Sequence, residues 1–164
     1  CMTLQKLKMG ALIVFERKPK LKEIVDTGTV GNAEPPAAII GNIFFNKAPL
    51  HDGAMVMRDG MVYAAGCILP LTKNDSISID LGTRHRAAIG MSENSDAVVV
   101  LVSEETGTIS VAVGGMLKRH LAVDTLQLLL ENELLPKEDA PKEKHKLNLR
   151  ERLSRKKKDG EKDE

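Results

Sequence analysis

Three short stretches carry the residue types that could do chemistry. In "LGTRHRAAIG", residues 81–90, Arg84, His85 and Arg86 follow one another just after a glycine and just before a run with helical spacing. The first turn of a helix holds unpaired amides and the positive end of the macrodipole, so clustered cations there are unfavourable unless something negative joins them. Gly82 can adopt backbone angles that other residues avoid, Thr83 offers a hydroxyl, and the free amides of a helix start suit phosphate. Arg84 and Arg86 could fork onto phosphate oxygens. A solvated basic first turn accounts for the same residues, and a histidine such as His85 is more often a structural hydrogen-bonder than a catalyst.

"PLHDGA", residues 49–54, is the second stretch. It puts Asp52 at the mouth of a strand that begins at Ala54, with Gly53 leaving room for a ligand to approach the backbone. Asp-Gly is also a common turn, and Asp59-Gly60 serves as an internal control. That second pair is flanked by strand-like runs on both sides, as a two-residue hairpin turn requires, whereas no strand immediately precedes Asp52. The third stretch, "SEETG" at 103–107, closes an apolar run with Ser103, Glu104 and Glu105. Exposed hairpin acids explain it on pattern alone. If the arginines hold a triphosphate, a hard cation comes with it, and Asp52 and Glu105 are the carboxylates that could hold Mg²⁺ or Mn²⁺. The phosphate loop GxxxxGK followed by Ser or Thr is missing, as are HExxH and CxxC, which excludes the commonest nucleotide and zinc signatures.

Several elements must position these residues. "TLQKLKM" reads as the end of a helix, and residues 1–9 as a linker to the body. "GALIVFER" reads as a buried strand and "LKEIVDTG" as a weakly alternating strand paired with it. "PPAAIIGNIFF" starts with prolines suited to a helix and continues with Ile39, Ile40, Ile43 and Phe44. "AMVMRDGMVYAAGCILPL" is a hairpin about Asp59-Gly60. Residues 83–93 form a helix with Arg84, Ala87, Ala88 and Met91 on one face. "AVVVLVSEETGTISVAV" is a second hairpin turning near Glu105 to Thr108, and 122–134 an amphipathic helix that Asp124 helps to cap. Strands, hairpins and helices interleave, which predicts an α/β domain with a central mixed sheet flanked by helices, over residues 10–135.

Composition sets the outer limits. The 164 residues, 42% hydrophobic, suffice for one domain with a real core and an appendage. Lys and Arg total 24 against 23 acids, for a net charge of +1. The tail 136–164 holds 11 basic and 8 acidic residues, leaving a body in which acids prevail, so any anion site there must be local. That tail is charged and poor in large apolar residues, as expected for disorder. Phe15, Phe44, Phe45 and Tyr63 are the only aromatics, too few for stacking platforms on single-stranded nucleic acid, so no nucleic-acid partner is expected. Cys1 and Cys67 form no disulfide framework. No apolar run approaches the roughly 20 residues needed to cross a bilayer. A chain that starts at Cys1 reads as a processed or truncated piece.

"LHDGA" followed by "GTRHRAA", with "GALIVFER" upstream and "VSEETG" downstream, resembles the diadenylate cyclase domain family, and more narrowly its membrane-linked bacterial housekeeping type. The resemblance runs from about Gly10 to Leu135. It implies a central mixed sheet flanked by helices and the joining of two ATP into cyclic di-AMP with loss of two pyrophosphates. It further implies that Asp52 holds Mn²⁺ or Mg²⁺ and helps activate the ribose 3′-hydroxyl, with Gly53 and Ala54 shaping the site. Gly82, Thr83, Arg84, His85 and Arg86 would cradle phosphates, Ser103 and Glu105 would complete the phosphate and metal region, and Leu69 and its neighbours would wall the adenine. Ile68 stands where close relatives carry an aromatic, so the adenine contact is expected to differ. The product's symmetry implies a homodimer. Relatives of this type carry N-terminal membrane helices, which implies a membrane-anchored full-length protein with its catalytic domain facing the cytoplasm, open to membrane-bound regulators. The alternative is a nucleotide-binding regulatory module without turnover.

Overall fold

The computed structural model describes residues 1–78 and 81–135. The charged tail from Pro136, expected to be disordered, lies outside the described residues. In chain order the elements are α1 (Met2–Lys6), β1 (Ala11–Phe15), α2 (Lys22–Val25), β2 (Thr29–Ala33), α3 (Ala37–Ile43), β3 (Ala54–Arg58), β4 (Met61–Cys67), α4 (Thr83–Glu93), β5 (Val98–Val102), β6 (Ile109–Val113), β7 (Met116–Lys118) and α5 (Val123–Leu134).

The strands make one mixed sheet in the order β2-β4-β3-β1-β5-β6-β7. β1 and β3 run parallel at its centre, and every other neighbouring pair is antiparallel. Successive strand residues point to opposite faces, so Leu12 and Val14 of β1 enter one core with Val99 and Leu101 of β5, while Ala11 and Ile13 enter the other with Val98, Val100 and Val102. Helices cover both faces, which is why β5 reads as an unbroken apolar run rather than an alternating one. α4 and Val25 of α2 close the first core; Leu4, Phe44 and Leu126 close the second.

Four expectations need correction. The segment "LKEIVDTG" is no strand partner of β1 but the short helix α2 and its turn, because burying Leu21 and Val25 uses a spacing of four, which one helical turn supplies. The strand that follows it, β2, was not expected, since Thr29–Ala33 is largely exposed, contains Gly31 and Asn32, and joins β4 only at the sheet's edge. Asp124 makes no capping hydrogen bond; it sits inside the first turn of α5, where its charge suits the helix dipole. Finally, α4 buries more than one face: His85, Ala87, Ala88, Ile89, Gly90, Met91 and Ser92 are all enclosed. Gly90 is pressed against the backbone of residues 70–72, where a Cβ would find no room. The Thr72 amide donates to the Arg86 carbonyl at 3.1 Å, and the Thr72 hydroxyl to Glu93 at 2.9 Å, so the strap after β4 is fastened along the helix.

Candidate active site

Strand direction decides which chain ends meet. β1 and β3 are parallel, so their N-terminal ends, with Gly10 and Asp52-Gly53, lie at the same edge of the sheet. β5 runs against β1 and β4 against β3, so Ser103 and the Cys67–Leu69 exit reach that edge from the other direction. A cleft of about 440 Å³ opens there, lined by Asp52, Gly82, Thr83, Arg84, His85, Ser103, Glu104, Glu105, Thr106 and Arg119. Sequence reasoning had singled out seven of these ten from three separate stretches.

The consecutive cations of α4 do not act as one cluster. Each helical residue is turned about 100° from the last, so adjacent side chains diverge. Arg84 crosses to Glu104, donating from Nη1 to a carboxylate oxygen at 2.6 Å. It passes over Gly10, where a Cβ would lie 2.7 Å from the same nitrogen, so a glycine is needed beneath it. His85 turns inward and is 8% exposed, and its Nε2 has no hydrogen-bond partner. Burial pushes its imidazole below the ordinary range, the Arg119 charge adds to this, and Glu105 opposes it, so the ring is neutral near pH 7. Arg86, expected to bind phosphate alongside Arg84, does not line the cleft.

Gly82 also works differently from the sequence reading. Its φ of −67° and ψ of 176° are extended backbone that any residue adopts, and nothing lies within 4 Å of the space a Cβ would fill. No side chain caps α4, and while the His85 amide donates to the Gly82 carbonyl at 3.0 Å, the Thr83 and Arg84 amides stay available. Gly53 keeps no room for a ligand: a Cβ there would meet the Gly66 backbone at 2.7 Å. This close crossing accompanies a shift in the β3–β4 register between Ala54 and Val56. Ala54 itself is fully buried opposite Cys67.

In the 103–108 turn, the Ser103 amide donates to the Thr108 carbonyl at 3.0 Å and the Gly107 amide to the Ser103 carbonyl at 2.9 Å. The Thr106 amide donates to the Ser103 hydroxyl oxygen at 3.3 Å. Ser103 thus shapes the loop that aims Glu104 and Glu105, and its own O–H is left as a donor. Beside Asp52, His51 donates from Nδ1 to the Ala48 carbonyl at 2.6 Å. Leu69 is absent from this cleft. It is 7% exposed and lines a separate cleft of about 1070 Å³ with Leu21, Ile24, Ile68, Leu71 and Met91. Sequence reasoning missed Glu104 as the partner of Arg84, and missed Arg119 altogether. The only available signal for Arg119 was the basic run Lys118-Arg119-His120 just after a short strand.

Asp52 and Glu105 line the cleft together, but no group of three or more His, Cys, Asp or Glu suited to a metal occurs among the described residues. Two carboxylates with the rest of the shell left to phosphate oxygens and water is how Mg²⁺ is commonly held beside nucleotides. The donor set therefore fits a hard cation that arrives with a polyphosphate.

The model of the family described as "DisA bacterial checkpoint controller nucleotide-binding" matches residues 1–117. The cyclic di-AMP synthase CdaA of Bacillus subtilis is 44% identical over 128 residues, 78% of this chain and 47% of that protein. The diadenylate cyclase CdaS of Bacillus thuringiensis is 50% identical over 110 residues, 67% of this chain and 55% of that one. Among solved structures, DacA from Staphylococcus aureus, crystallised as a double mutant, superposes with a TM-score of 0.80 at 41% identity, covering 82% of this chain and 89% of that one. A structure described as a hypothetical membrane spanning protein from Bacillus cereus gives 0.71 at 46% identity, covering 74% and 59%. The chain spans about half the length of the curated relatives it matches.

Proposed function

The chain belongs to the diadenylate cyclase domain family, and we propose that it condenses two ATP molecules into cyclic di-AMP. In each half of the reaction the ribose 3′-oxygen of one ATP forms a bond to the α-phosphorus of the other, the bond to pyrophosphate breaks, and the 3′-hydroxyl proton is released. The observation that carries this reading is the single cleft that gathers Asp52 from the loop before β3, Thr83 and Arg84 from α4, and Ser103 and Glu105 from the loop after β5.

The Thr83 hydroxyl, the first amides of α4 and the Ser103 hydroxyl donate to phosphate oxygens. Arg84 joins them by exchanging Glu104 for phosphate. Its side chain is 23% exposed and that of Glu104 is 62% exposed. A pair this exposed is worth at most about 1 kcal/mol, less than a charge-assisted bond to phosphate provides. Asp52 and Glu105 would hold Mg²⁺ or Mn²⁺, which supplies neutralisation of phosphate charge and lowers the cost of ionising the 3′-hydroxyl. Gly53 and Ala54 fix the backbone behind Asp52, and the adenine would extend from this cleft toward the separate one lined by Ile68 and Leu69. Residues 10–135 form the catalytic unit in this reading, and the full-length protein sits at the membrane with this unit in the cytoplasm. The B. cereus relative's description as membrane spanning supports that placement. Among the described residues, no helix is long and apolar enough to cross a membrane.

Each chain carries one copy of the motifs, whereas the product has two equivalent phosphodiester links, so two chains must meet face to face about a two-fold axis. Incubation with ATP and Mn²⁺ and chromatographic detection of cyclic di-AMP test the activity; nucleotide binding without product would make the chain a regulatory module instead. At low protein concentration the rate is expected to rise more steeply than linearly and to become linear once dimers dominate. A rate proportional to concentration where light scattering reports only monomers would overturn the dimeric mechanism.

A further inference from the structure

Arg119 belongs to none of the stretches that drew attention in the sequence, yet the topology delivers it to the same cleft. β6 runs against β5 and β7 against β6, so the chain leaving β7 at Lys118 returns to the edge where Ser103 and Gly10 lie. Three residues on, the Leu121 amide donates to the Ile109 carbonyl at 3.0 Å and anchors the chain again. Between these fixed points His120 takes a φ of +57°, a left-handed turn uncommon outside glycine. Arg119 is exposed and lines the cleft with Asp52, Thr83 and His85.

The partners of the two arginines differ. Arg84 is engaged by Glu104. Arg119 makes no ion pair or side-chain hydrogen bond among the described residues, although Glu104 and Glu105 line the same cleft. It is the uncommitted permanent cation of a cleft whose acids outnumber its arginines. His85 also lines the cleft, with its Nε2 buried behind the surface and unpartnered. The charge of Arg119 is also felt at that ring, where it reinforces the effect of burial. A free guanidinium that shares a cleft with the Thr83 and Ser103 hydroxyls and the start of α4 is suited to an anionic ligand.

We propose that Arg119 binds the β- and γ-phosphates of ATP and holds them as the departing pyrophosphate. The inference rests on the reading of the cleft as an ATP site and adds to it the residue that recognises the leaving group. A guanidinium can fork onto two phosphate oxygens at once, which suits a polyphosphate end that must be kept in line opposite the attacking oxygen.

The test compares Arg119→Ala and Arg119→Lys with the unsubstituted chain in calorimetric binding of ATP, AMP and inorganic tripolyphosphate, with circular dichroism as the check on folding. Arg119→Ala is expected to weaken ATP and tripolyphosphate about tenfold or more, the usual loss for one charge-assisted bond, and to leave AMP within about twofold. Lysine is expected to restore part of the loss. In turnover, KM for ATP rises and inhibition by added pyrophosphate weakens. Equal losses for ATP and AMP, or no loss for ATP, would overturn the role of Arg119 while the ATP site stands. An unsubstituted chain that binds none of the three would overturn both.

Discussion

Asp52-Gly53 and Asp59-Gly60 stand at opposite ends of β3, and the same dipeptide meets two different fates. Asp59 and Gly60 take φ of +50° and +78°, the two left-handed residues of a type I′ turn, with Arg58 facing Met61 across it. The charges beside this turn are paired within the chain. Arg58 donates to both oxygens of Glu16 at 2.6 and 2.8 Å and stacks over Tyr63 at 3.6 Å, while Glu16 also accepts from the Leu21 amide at 2.8 Å. At the other end Gly53 is pressed onto Gly66, and Asp52 faces a cleft that also holds an uncommitted arginine and an unpartnered histidine nitrogen. At one end the charges beside the turn are paired within the fold; at the other an arginine and a histidine nitrogen are left without partners. Local sequence separates the two pairs by whether a strand precedes each, and the inventory of partners shows what each end holds.

The largest expected effect breaks the comparison at the open end. Asp52→Asn keeps the shape and removes the charge, and cyclic di-AMP formation is expected to fall about a thousandfold or more, in the range that loss of a positioned acid–base or metal-holding group produces. Asp59→Asn, the matched change, is expected to leave turnover unaltered because asparagine tolerates the left-handed turn. Chromatographic rates for the two variants, measured side by side, decide whether the two pairs differ in function or only in geometry.

The closed end is sharpened by acid. Burial alone would raise the Glu16 carboxyl, but hydrogen bonds from Arg58, the Leu21 amide and Lys20 outweigh it and bring the group from 4.5 down to about 2. A carboxyl lowered in the folded state contributes stability that is complete above its unfolded value and is lost as pH falls through the folded one. The side chain is only 1% exposed, so about 3 kcal/mol is at stake. Denaturant unfolding is expected to show that loss between pH 4.5 and 2, and Glu16→Gln to flatten it. A Gln variant that keeps the full slope would remove Glu16 from the account.

The smallest effects distinguish the two glycines. Gly53→Ala drives a methyl into the Gly66 backbone and is expected to cost about 2 kcal/mol. Gly60→Ala meets nothing within 4 Å but must hold a positive φ, for a cost of about 1 kcal/mol. Thermal melts that reverse this order would mean that the crossing at Gly66 relaxes more easily than the turn.

How much could be read in advance depended on whether a residue's role was local. The hairpin at Asp59-Gly60, the bounds of α4 and the loop after β5 follow from near neighbours, and the sequence analysis located all three. β2 escaped because an exposed edge strand with Gly31 and Asn32 needs no apolar alternation, and α2 was misread because Leu21, Ile24 and Val25 suit either period over so short a run. Asp52, Thr83, Arg84, Ser103 and Glu105, which line one cleft, were singled out by motif and residue type. The rest was decided by distant pairs: Gly53 against Gly66, Arg84 over Gly10 and onto Glu104, and Arg119 brought round by the order of β5, β6 and β7. Arg86, next to Arg84 in sequence, does not line the cleft with it, because adjacent side chains of a helix diverge.

β1 is the second element from the N-terminus, yet it pairs with β3 on one side and β5 on the other. The β3–β4 and β5–β6 hairpins close short loops and can form early, whereas β1 must wait for strands synthesised long after it. It is the staple that joins two locally stable halves, made first and seated last. Folding is therefore paced by the capture of Ala11–Phe15 between the hairpins. Because Gly10 and the start of β3 are brought together in that same event, the cleft comes into being only when the last central strand is in place.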